Sequence, residues 1–314
     1  MEGRIAKTGR GFIGKAGRLL IAAAIALASQ AGMCQESGGI KISEILFNPP
    51  TGGADYVELY NDSEEAASLA EVRLAQWKND AITKLYMIDT AYVIGAKEYC
   101  VITTDAQFVK DSYDVRHPEK VIEVKSMPSY NNASGTVIVC LEDTTVIDRF
   151  DYTEEMHSRL LKDVEGVALE RRSFESATQA SENWYSASST AGYGTPTYAN
   201  SQSHEFLYED NDWTVEPEVF SPDNDGYNDL LNITYRLKEG GMNANIYVSD
   251  LSGRTVRHLL RGGVLGTQGA ITWDGTDEGG QRCRQGRYLL TVEVYNTEGK
   301  RQRTKRAVTV VSSF

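Results

Sequence analysis

The chain has 314 residues, of which 24% are charged and 41% are hydrophobic. Its formal net charge is −12 at pH 7. Such an acidic chain repels a phosphate backbone, which argues against nucleic acid as a general partner. The length exceeds that of one typical domain and predicts two domains of common size.

The N-terminus has the order of features of a secretory signal peptide over residues 1–31. Five basic residues come first, an apolar run follows from Leu19 to Ala28, and small side chains stand at Ser29 and Ala31. The apolar run is shorter than the roughly 20 residues that span a bilayer. The pattern therefore predicts cleavage after Ala31 and an exported protein with no transmembrane span in its mature chain.

Cys34 follows this segment closely and offers an alternative, because a cysteine in that place can carry a lipid. Met33 stands before it, where a lipidation motif has a small residue, so cleavage without lipid is the favoured prediction. Cleavage removes five basic residues and one glutamate and leaves a mature charge of about −16. The expected destination is the cell surface or the medium, with the periplasm as the alternative.

The first tract of the mature chain, from Ile42 to Asn61, predicts a β-hairpin. Its first half is rich in β-branched and aromatic residues up to Phe47, and a turn rich in Pro and Gly follows from Asn48 to Gly53. In the return strand, from Tyr56 onward, aromatic and acidic residues alternate with Val and Leu, which predicts one apolar face.

Short apolar or alternating runs predict further strands in the part of the chain that follows. They lie at Val72–Gln76, Tyr86–Ile88, Tyr99–Thr103, Val121–Val124, Thr136–Leu141 and Val146–Tyr152. Cys100 and Cys140 belong to two of these runs. They are predicted as buried free thiols, and a disulfide between neighbouring strands is the alternative.

A second informative tract runs from Gly166 to Gln202. A short strand, Val167 to Arg171, leads into a run rich in Ser, Thr and Gly that includes Asn183-Trp184 and closes on Gly194-Thr195-Pro196. The strand and the loop-forming run indicate that the chain returns to the same sandwich after a long connection.

Together the two tracts resemble the bacterial lamin-tail domain family. The family's hairpin motif, an apolar strand, an Asn-Pro turn and Asp-Tyr-Val-Glu-Leu-x-Asn, is matched from Ile45 to Asn61. Its closing motif is matched by Gly166–Arg171, Asn183-Trp184 and Gly192–Pro196. The resemblance implies an immunoglobulin-like β-sandwich over residues 40–200.

The rest of the chain predicts a linker and a second domain. Residues 201–217 lose periodicity and gather acidic and small polar side chains, which is typical of an interdomain linker. From 218 to 314, apolar strands broken by Gly and Asp turns predict a second small sandwich. The predicted fold class is therefore all-β, with two immunoglobulin-like sandwiches joined by an acidic linker.

The second half carries a resemblance of its own, in the motifs Phe220–Asp229, Val248–Arg254, Trp273–Thr276 and Gly286–Tyr288. They resemble the Ig-like domain of the flagellar hook-capping family and the gliding-motility-associated C-terminal domains. In the latter group the type nine secretion system recognises such modules and leaves them at the cell surface, so the resemblance implies sorting by that route. Asp223–Gly226 departs from the usual Asn-Gly-Asp-Gly.

The same motif gathers oxygen ligands around Gly226. Asp223, Asp225 and Asp229 supply carboxylates, which are the ligands that Ca²⁺ prefers. The spacing differs from that of an EF-hand loop. The alternative is that these side chains shape turns and accept backbone N–H groups without any metal.

Other candidate residues are isolated along the sequence. Glu58 stands between apolar residues, and a structural hydrogen bond is favoured for it over a metal. The four histidines, His117, His157, His204 and His258, lack paired ligand spacing and are predicted as surface or loop residues. Five aromatic residues either form a carbohydrate platform or belong to the core and rim of the sandwich: Trp77, Trp184, Tyr185, Tyr193 and Tyr198.

These features favour a non-catalytic, exported surface or envelope protein that binds a cell-surface or matrix protein or a glycan. The sequence has no nucleophile elbow, phosphate-binding loop or dinucleotide fingerprint. Two alternatives remain open. One is a carbohydrate-binding adhesin, and the other is an accessory subunit of an exported nuclease or hydrolase, because lamin-tail domains also occur beside such enzymes.

Overall fold

The structure is a computed structural model that describes residues 39–89, 91–207 and 209–312. These residues belong to one compact unit, Gln35–Phe314. They form two β-sandwiches, which confirms the predicted fold class. The predicted signal peptide and Cys34 lie outside the described residues. Within the described part of the chain, no helix is both long and apolar enough to cross a membrane.

The first sandwich contains twelve strands within the described residues. They are β1 (Ile40–Leu46), β2 (Tyr56–Asn61), β3 (Ala67–Ser68), β4 (Val72–Lys78), β5 (Ala81–Met87), β6 (Val93–Ile94), β7 (Tyr99–Thr103), β8 (Val121–Glu123), β9 (Ser134–Leu141), β10 (Val146–Thr153), β11 (Leu169–Arg171) and β12 (Trp184–Ser186). One sheet has the order β12-β11-β1-β2-β7-β8 and the other the order β10-β9-β4-β5, while β3 and β6 pair with each other.

The predicted hairpin is formed by β1 and β2 and lies in the middle of the six-stranded sheet. A bulge between Ile42 and Glu44 sets its register, so that Glu44 pairs with Glu58 and Ile45 pairs with Val57. Ile45 and Val57 belong to the core between the two sheets. Because side chains alternate along a strand, Glu44 and Glu58 point to the opposite, outer face.

The outer face of this sheet is covered as well. A short helix that the sequence did not predict, α1 (Ala106–Ser112), is capped by Asp105, whose side chain accepts the Phe108 N–H at 2.9 Å. Its buried residues pack on the sheet. Short 3₁₀ helices lie at Pro118–Lys120, Glu154–Met156, Ser181–Asn183, Ser189–Ala191 and His204–Phe206. Residues 193–202, here called the closing segment, cover the remaining polar part of the same face.

The second sandwich contains eight strands within the described residues. They are β13 (Asp212–Glu216), β14 (Val219–Phe220), β15 (Leu231–Arg236), β16 (Asn243–Asp250), β17 (Thr255–Val264), β18 (Gln268–Trp273), β19 (Gly286–Tyr295) and β20 (Arg301–Val310). One sheet has the order β13-β15-β18 and the other β14-β20-β19-β16-β17. Phe220 and Trp273 meet edge to face in the core, with ring centroids 5.3 Å apart.

The stretch 201–217, expected as a linker, has more structure than its composition indicates. β13 lies within it and pairs antiparallel with β15 along its whole length. At its start, Ser201 and Gln202 are packed, and Gln202 has no exposed surface. Backbone pairing therefore fixes the end of this stretch at β13, and buried side chains fix its start at Ser201 and Gln202. At both ends the polar groups that leave water have hydrogen-bond partners, as such groups need.

The two central cysteines are buried free thiols, as predicted. Cys100 lies on β7 in the six-stranded sheet, and Cys140 lies on β9 in the four-stranded sheet. They are therefore not on neighbouring strands, and the alternative of a disulfide between such strands does not apply to them.

Candidate functional site

The three aspartates predicted as calcium ligands come together in the loop after β14. Asp223, Asp225 and Asp229 each place a carboxylate oxygen within 4.8 Å of the others. Asp225 is exposed, and the other two are half-buried. The geometry is compatible with a hard cation, because Ca²⁺ takes several oxygen ligands, including carboxylates.

The same carboxylates already organise the loop. Asp229 accepts the Asn224 N–H at 2.5 Å and the Gly226 N–H at 2.8 Å, while Asp225 accepts the Tyr227 N–H at 2.7 Å. Asn224 and Gly226 adopt the left-handed conformation that such turns require. Turn formation therefore accounts for the cluster, and each oxygen keeps a further lone pair for a cation.

A second polar group lies in the first sandwich, where three glutamates form a row across three adjacent strands. Glu170 on β11 pairs with Glu44 on β1, and Glu44 pairs with Glu58 on β2. All three side chains are fully buried. Like charges directly opposite each other destabilise a sheet, so this row requires partners that neutralise or solvate it.

The closing segment supplies one backbone N–H to each glutamate. Thr195 N donates to Glu44 at 3.0 Å, Thr197 N to Glu58 at 2.6 Å and Gln202 N to Glu170 at 2.9 Å. The closing segment thus covers the three glutamates, and its backbone N–H groups are spaced so that each reaches one carboxyl group. Glu58 Oε1 remains without a hydrogen-bond partner among the described residues.

The Thr195 hydroxyl links two of the acids. Its oxygen lies 2.7 Å from Glu44 Oε2 and 2.8 Å from Glu170 Oε1. A threonine hydroxyl has one hydrogen and can donate to only one of these oxygens. The other contact is a hydrogen bond only when that carboxyl is protonated and donates to Thr195. Two such short contacts, together with the raised pKa values of both acids, favour one protonated carboxyl in the pair.

Burial raises the pKa of all three acids. Burial and the adjacent Glu170 raise the pKa of Glu44 to about 8. Burial and the adjacent Glu44 hold the pKa of Glu58 well above its usual value. Burial also raises the pKa of Glu170, although hydrogen bonds from Thr195 and Ser201 work against it. Neighbouring buried carboxyl groups cannot all ionise together, and their pKa values rise for that reason.

The row is connected to the second sandwich through the end of the closing segment. Ser201 Oγ donates to Glu170 at 2.8 Å, and the Ser201 carbonyl accepts the Thr267 N–H at 2.8 Å. Gln202 Nε2 donates to the carbonyl of Leu265 at 3.1 Å. The residues that cover the acids are therefore the residues that join the sandwiches.

Among the residues of this network, only Glu58 was a candidate from the sequence, for a structural hydrogen bond. The structure confirms a structural hydrogen bond for it, from Thr197. Glu44 also stands between apolar residues, Ile42 and Ile45 being its nearest ones in β1, whereas Glu170 lies between Leu169 and Arg171 and carries a weaker signal. Nothing in the sequence indicated that the three would share one row, since that depends on strand order and register.

The five aromatic residues considered as a carbohydrate platform do not form one surface. Trp184 lies in the core at 2% exposure and stacks on Phe150 with ring centroids 3.6 Å apart. Trp77 lies in the other sheet, beneath the Arg149 guanidinium at 4.3 Å. Among the described residues, no ring contact joins any two of the five. The core and rim interpretation fits them better.

One histidine of those predicted as surface or loop residues lies in a loop but is buried. His157 is 4% exposed, and its Nδ1 lies 2.9 Å from Ser186 Oγ. Burial lowers its pKa to about 4, because the site disfavours the charged imidazolium. Its Nε2 has no partner among the described residues. The apolar surroundings near Phe47, whose ring centroid is 5.5 Å away, explain the shift.

Comparisons with known proteins give weak similarities. No curated protein matches the chain. FLGD from P. aeruginosa is 17% identical, with 33% of this chain and 76% of that chain covered and a TM-score of 0.24. PorU of Porphyromonas gingivalis, in its dimeric latent form, is 13% identical, with 87% and 20% covered and a TM-score of 0.26. PorZ, a surface component of the type-IX secretion system of that organism, is 10% identical, with 86% and 30% covered and a TM-score of 0.27.

This chain therefore spans only 20% of the PorU chain and 30% of the PorZ chain. Similarities at these levels carry no inference about function. The match to a protein family is more specific. Residues 35–154 match the family model described as Lamin Tail Domain, which supports the presence of a lamin-tail domain in the N-terminal part of the described chain.

Proposed function

We propose that this protein is an exported, non-catalytic surface or envelope protein in which two sandwiches act together as one rigid binding module. The partner would be a surface or matrix protein. The proposal combines the signal peptide expected over residues 1–31, the match of residues 35–154 to the Lamin Tail Domain model and the architecture of the described chain. Residues 218–314 would additionally direct sorting to the surface.

The proposal of a rigid module depends on the contacts between the two sandwiches at Gln202. Gln202 is fully buried, and its side chain bonds to Ser186 in the first sandwich and to Leu265 and Gly241 in the second. Three of the four hydrogen-bonding positions of one side-chain amide are thus divided between two domains. A joint of this kind holds the two surfaces in a fixed orientation, which lowers the entropy lost on binding a large partner.

The two alternatives receive less support. A glycan platform would need exposed aromatic faces side by side, whereas Trp184 lies in the core. An accessory role beside an exported nuclease or hydrolase would also use a rigid binding module, and it differs from the proposal only in the partner. Co-purification with an enzyme activity from the producing cells would favour that alternative.

Fractionation of the producing cells tests the proposal. The protein should be found at the cell surface, with an intact mass that corresponds to cleavage after Ala31. A form that also lacks the region from Phe220 onward would identify that region as a removable sorting module. Uncleaved protein in the cytoplasm, or mature protein held entirely in the periplasm, would contradict the surface assignment.

A further inference from the structure

One edge of the second sandwich is a long strand with a free side. β20 pairs with β19 over its whole length, from the pair Arg301 and Tyr295 to the pair Val310 and Gly286. On its other side, β14 pairs only with Thr309 and Val310. Within the described part of the chain, no strand pairs with this second side of β20 along residues 301–307.

The backbone direction along this edge follows from two hydrogen bonds at its end. Thr309 N donates to the Glu218 carbonyl at 2.8 Å, and Val311 N donates to the Phe220 carbonyl at 3.0 Å. Backbone groups alternate between the two sides of a strand. The odd-numbered residues of 301–307 therefore direct their N–H and C=O groups to the free side.

The exposed odd-numbered positions are Arg301, Arg303, Lys305 and Ala307. One of their carbonyls, that of Lys305, also accepts Arg306 Nη1 at 3.1 Å, which occupies one of its lone pairs. A row of such groups is a template for another extended chain.

The opposite edge of the same sheet is built differently. β17 pairs with β16 through three register irregularities, and such bulges bend an edge away from further pairing. β20 has none over its ten pairs with β19, and it contains no proline. The regular edge is therefore open to pairing, and only its side chains restrict what pairs with it.

Those side chains are basic. Arg301 and Arg303 share Glu293, at 3.3 Å and 3.1 Å, whereas Lys305 and Arg306 form no ion pair with any described residue. Two copies of this edge would bring like charges together, which disfavours pairing with itself. The charge pattern instead complements an acidic strand.

We propose that residues 301–307 of β20 bind an extended acidic segment of another protein, which adds as a strand to this edge of the sheet. Main-chain hydrogen bonds to the odd-numbered residues would supply affinity, and the basic side chains would select the charge of the partner. This names a partner class for the binding role proposed above and rests on that role. Its test is made with purified protein and does not depend on export.

Binding of a fluorescent peptide to the mature chain tests the proposal. The peptide should alternate Glu with Val or Thr over about eight residues, to match the edge in length and charge. A second peptide with the same Glu residues, but with Pro in place of Val and Thr, cannot pair as a strand. Fluorescence anisotropy should detect the first peptide and show at least about tenfold weaker binding of the second.

Two variants separate strand addition from charge attraction. Lys305→Thr removes the charge and keeps the N–H, whereas Lys305→Pro also removes an N–H that faces the free side and so spares the pairing with β19. Lys305→Pro should bind the first peptide about tenfold more weakly than Lys305→Thr. Equal binding by the two variants, equal binding of the two peptides, or no binding of the first peptide would overturn the proposal.

Amide hydrogen exchange keeps the test decisive if Lys305→Pro folds poorly. In the unchanged protein, the amides of Arg303 and Lys305 should exchange fast, and that of Thr304, which faces β19, should be protected. The first peptide should slow exchange at Arg303 and Lys305. If it binds and leaves their exchange unchanged, it binds elsewhere and the proposed edge site is wrong.

Discussion

Replacing Glu44 with Gln should make the protein more stable at pH 8 than the unchanged chain. Glu44 is fully buried, and burial together with Glu170 raises its pKa from 4.5 to about 8. A carboxyl whose pKa rises on folding stabilises the folded state while it is protonated. That contribution is fully present below pH 4.5 and is lost as the pH rises through 8.

The magnitude follows from the pH window. Each pH unit between the two pKa values costs about 1.4 kcal/mol for one group. Burial raises the pKa of Asp55 to about 6. Its ionisation therefore also lowers the stability as the pH rises, but only below about pH 6. The pKa of His157 is lowered from 6.5 to about 4. Its effect on stability is opposite, because stability is lost as the pH falls, and this loss occurs below pH 6.5. Between pH 6.5 and 8, ionisation of Glu44 should therefore cost about 2 kcal/mol, and the raised pKa values of Glu58 and Glu170 act with the same sign.

Urea unfolding followed by circular dichroism measures this effect. Gln cannot ionise, and its amide can donate to the Thr195 hydroxyl as the protonated carboxyl does. The free energy of unfolding of the unchanged chain should fall by at least about 2 kcal/mol from pH 6.5 to pH 8, and that of Glu44→Gln should fall clearly less. Glu71→Gln, at an exposed glutamate, should follow the unchanged chain. If the free energies of unfolding of Glu44→Gln and the unchanged chain fall in parallel with pH, ionisation of Glu44 does not cause the loss of stability.

Three further predictions concern other parts of the chain. Thr195→Val should lower the free energy of unfolding by about 1–3 kcal/mol in urea, because it removes the buried hydroxyl that bonds to Glu44 and Glu170. Thr195→Ser should restore most of the loss; equal effects of the two variants would contradict the role of the hydroxyl. Removal of Ca²⁺ with a chelator should lower the melting temperature of the second sandwich, and Asp225→Asn should abolish that change; a melting curve indifferent to chelator would exclude the site. Trp184→Ala should cost about 3–5 kcal/mol of stability as a lost core side chain, and a variant of unchanged stability would contradict its burial.

Strand positions could be predicted because each sheet face is formed by residues two apart in the sequence. The alternation from Tyr56 to Asn61 predicted β2, and the apolar run from Thr136 to Leu141 predicted most of β9. The helix α1 was not predicted, since its seven residues are too few to show a helical period.

The glutamate row could not be predicted, because its three members lie on strands far apart in the sequence. The bulge between Ile42 and Glu44 determines which face Glu44 occupies, and a shift of one residue would turn it into the core. The composition of residues 201–217 indicated an interdomain linker, because composition does not show which polar side chains become buried. Ser201 and Gln202 are polar, as linker residues are, but here they bond to buried groups.

Protease treatment of intact cells, with the released fragments identified by mass, tests surface display and the rigid joint between the sandwiches together. The mature chain should be accessible at the cell surface and should resist cleavage in the held stretch formed by 200–202 and 212–216, where the closing segment and β13 bond to the sandwiches. Rapid cleavage that separates the two sandwiches within this stretch would contradict the rigid module. Complete protection of the chain in intact cells would contradict its display at the surface.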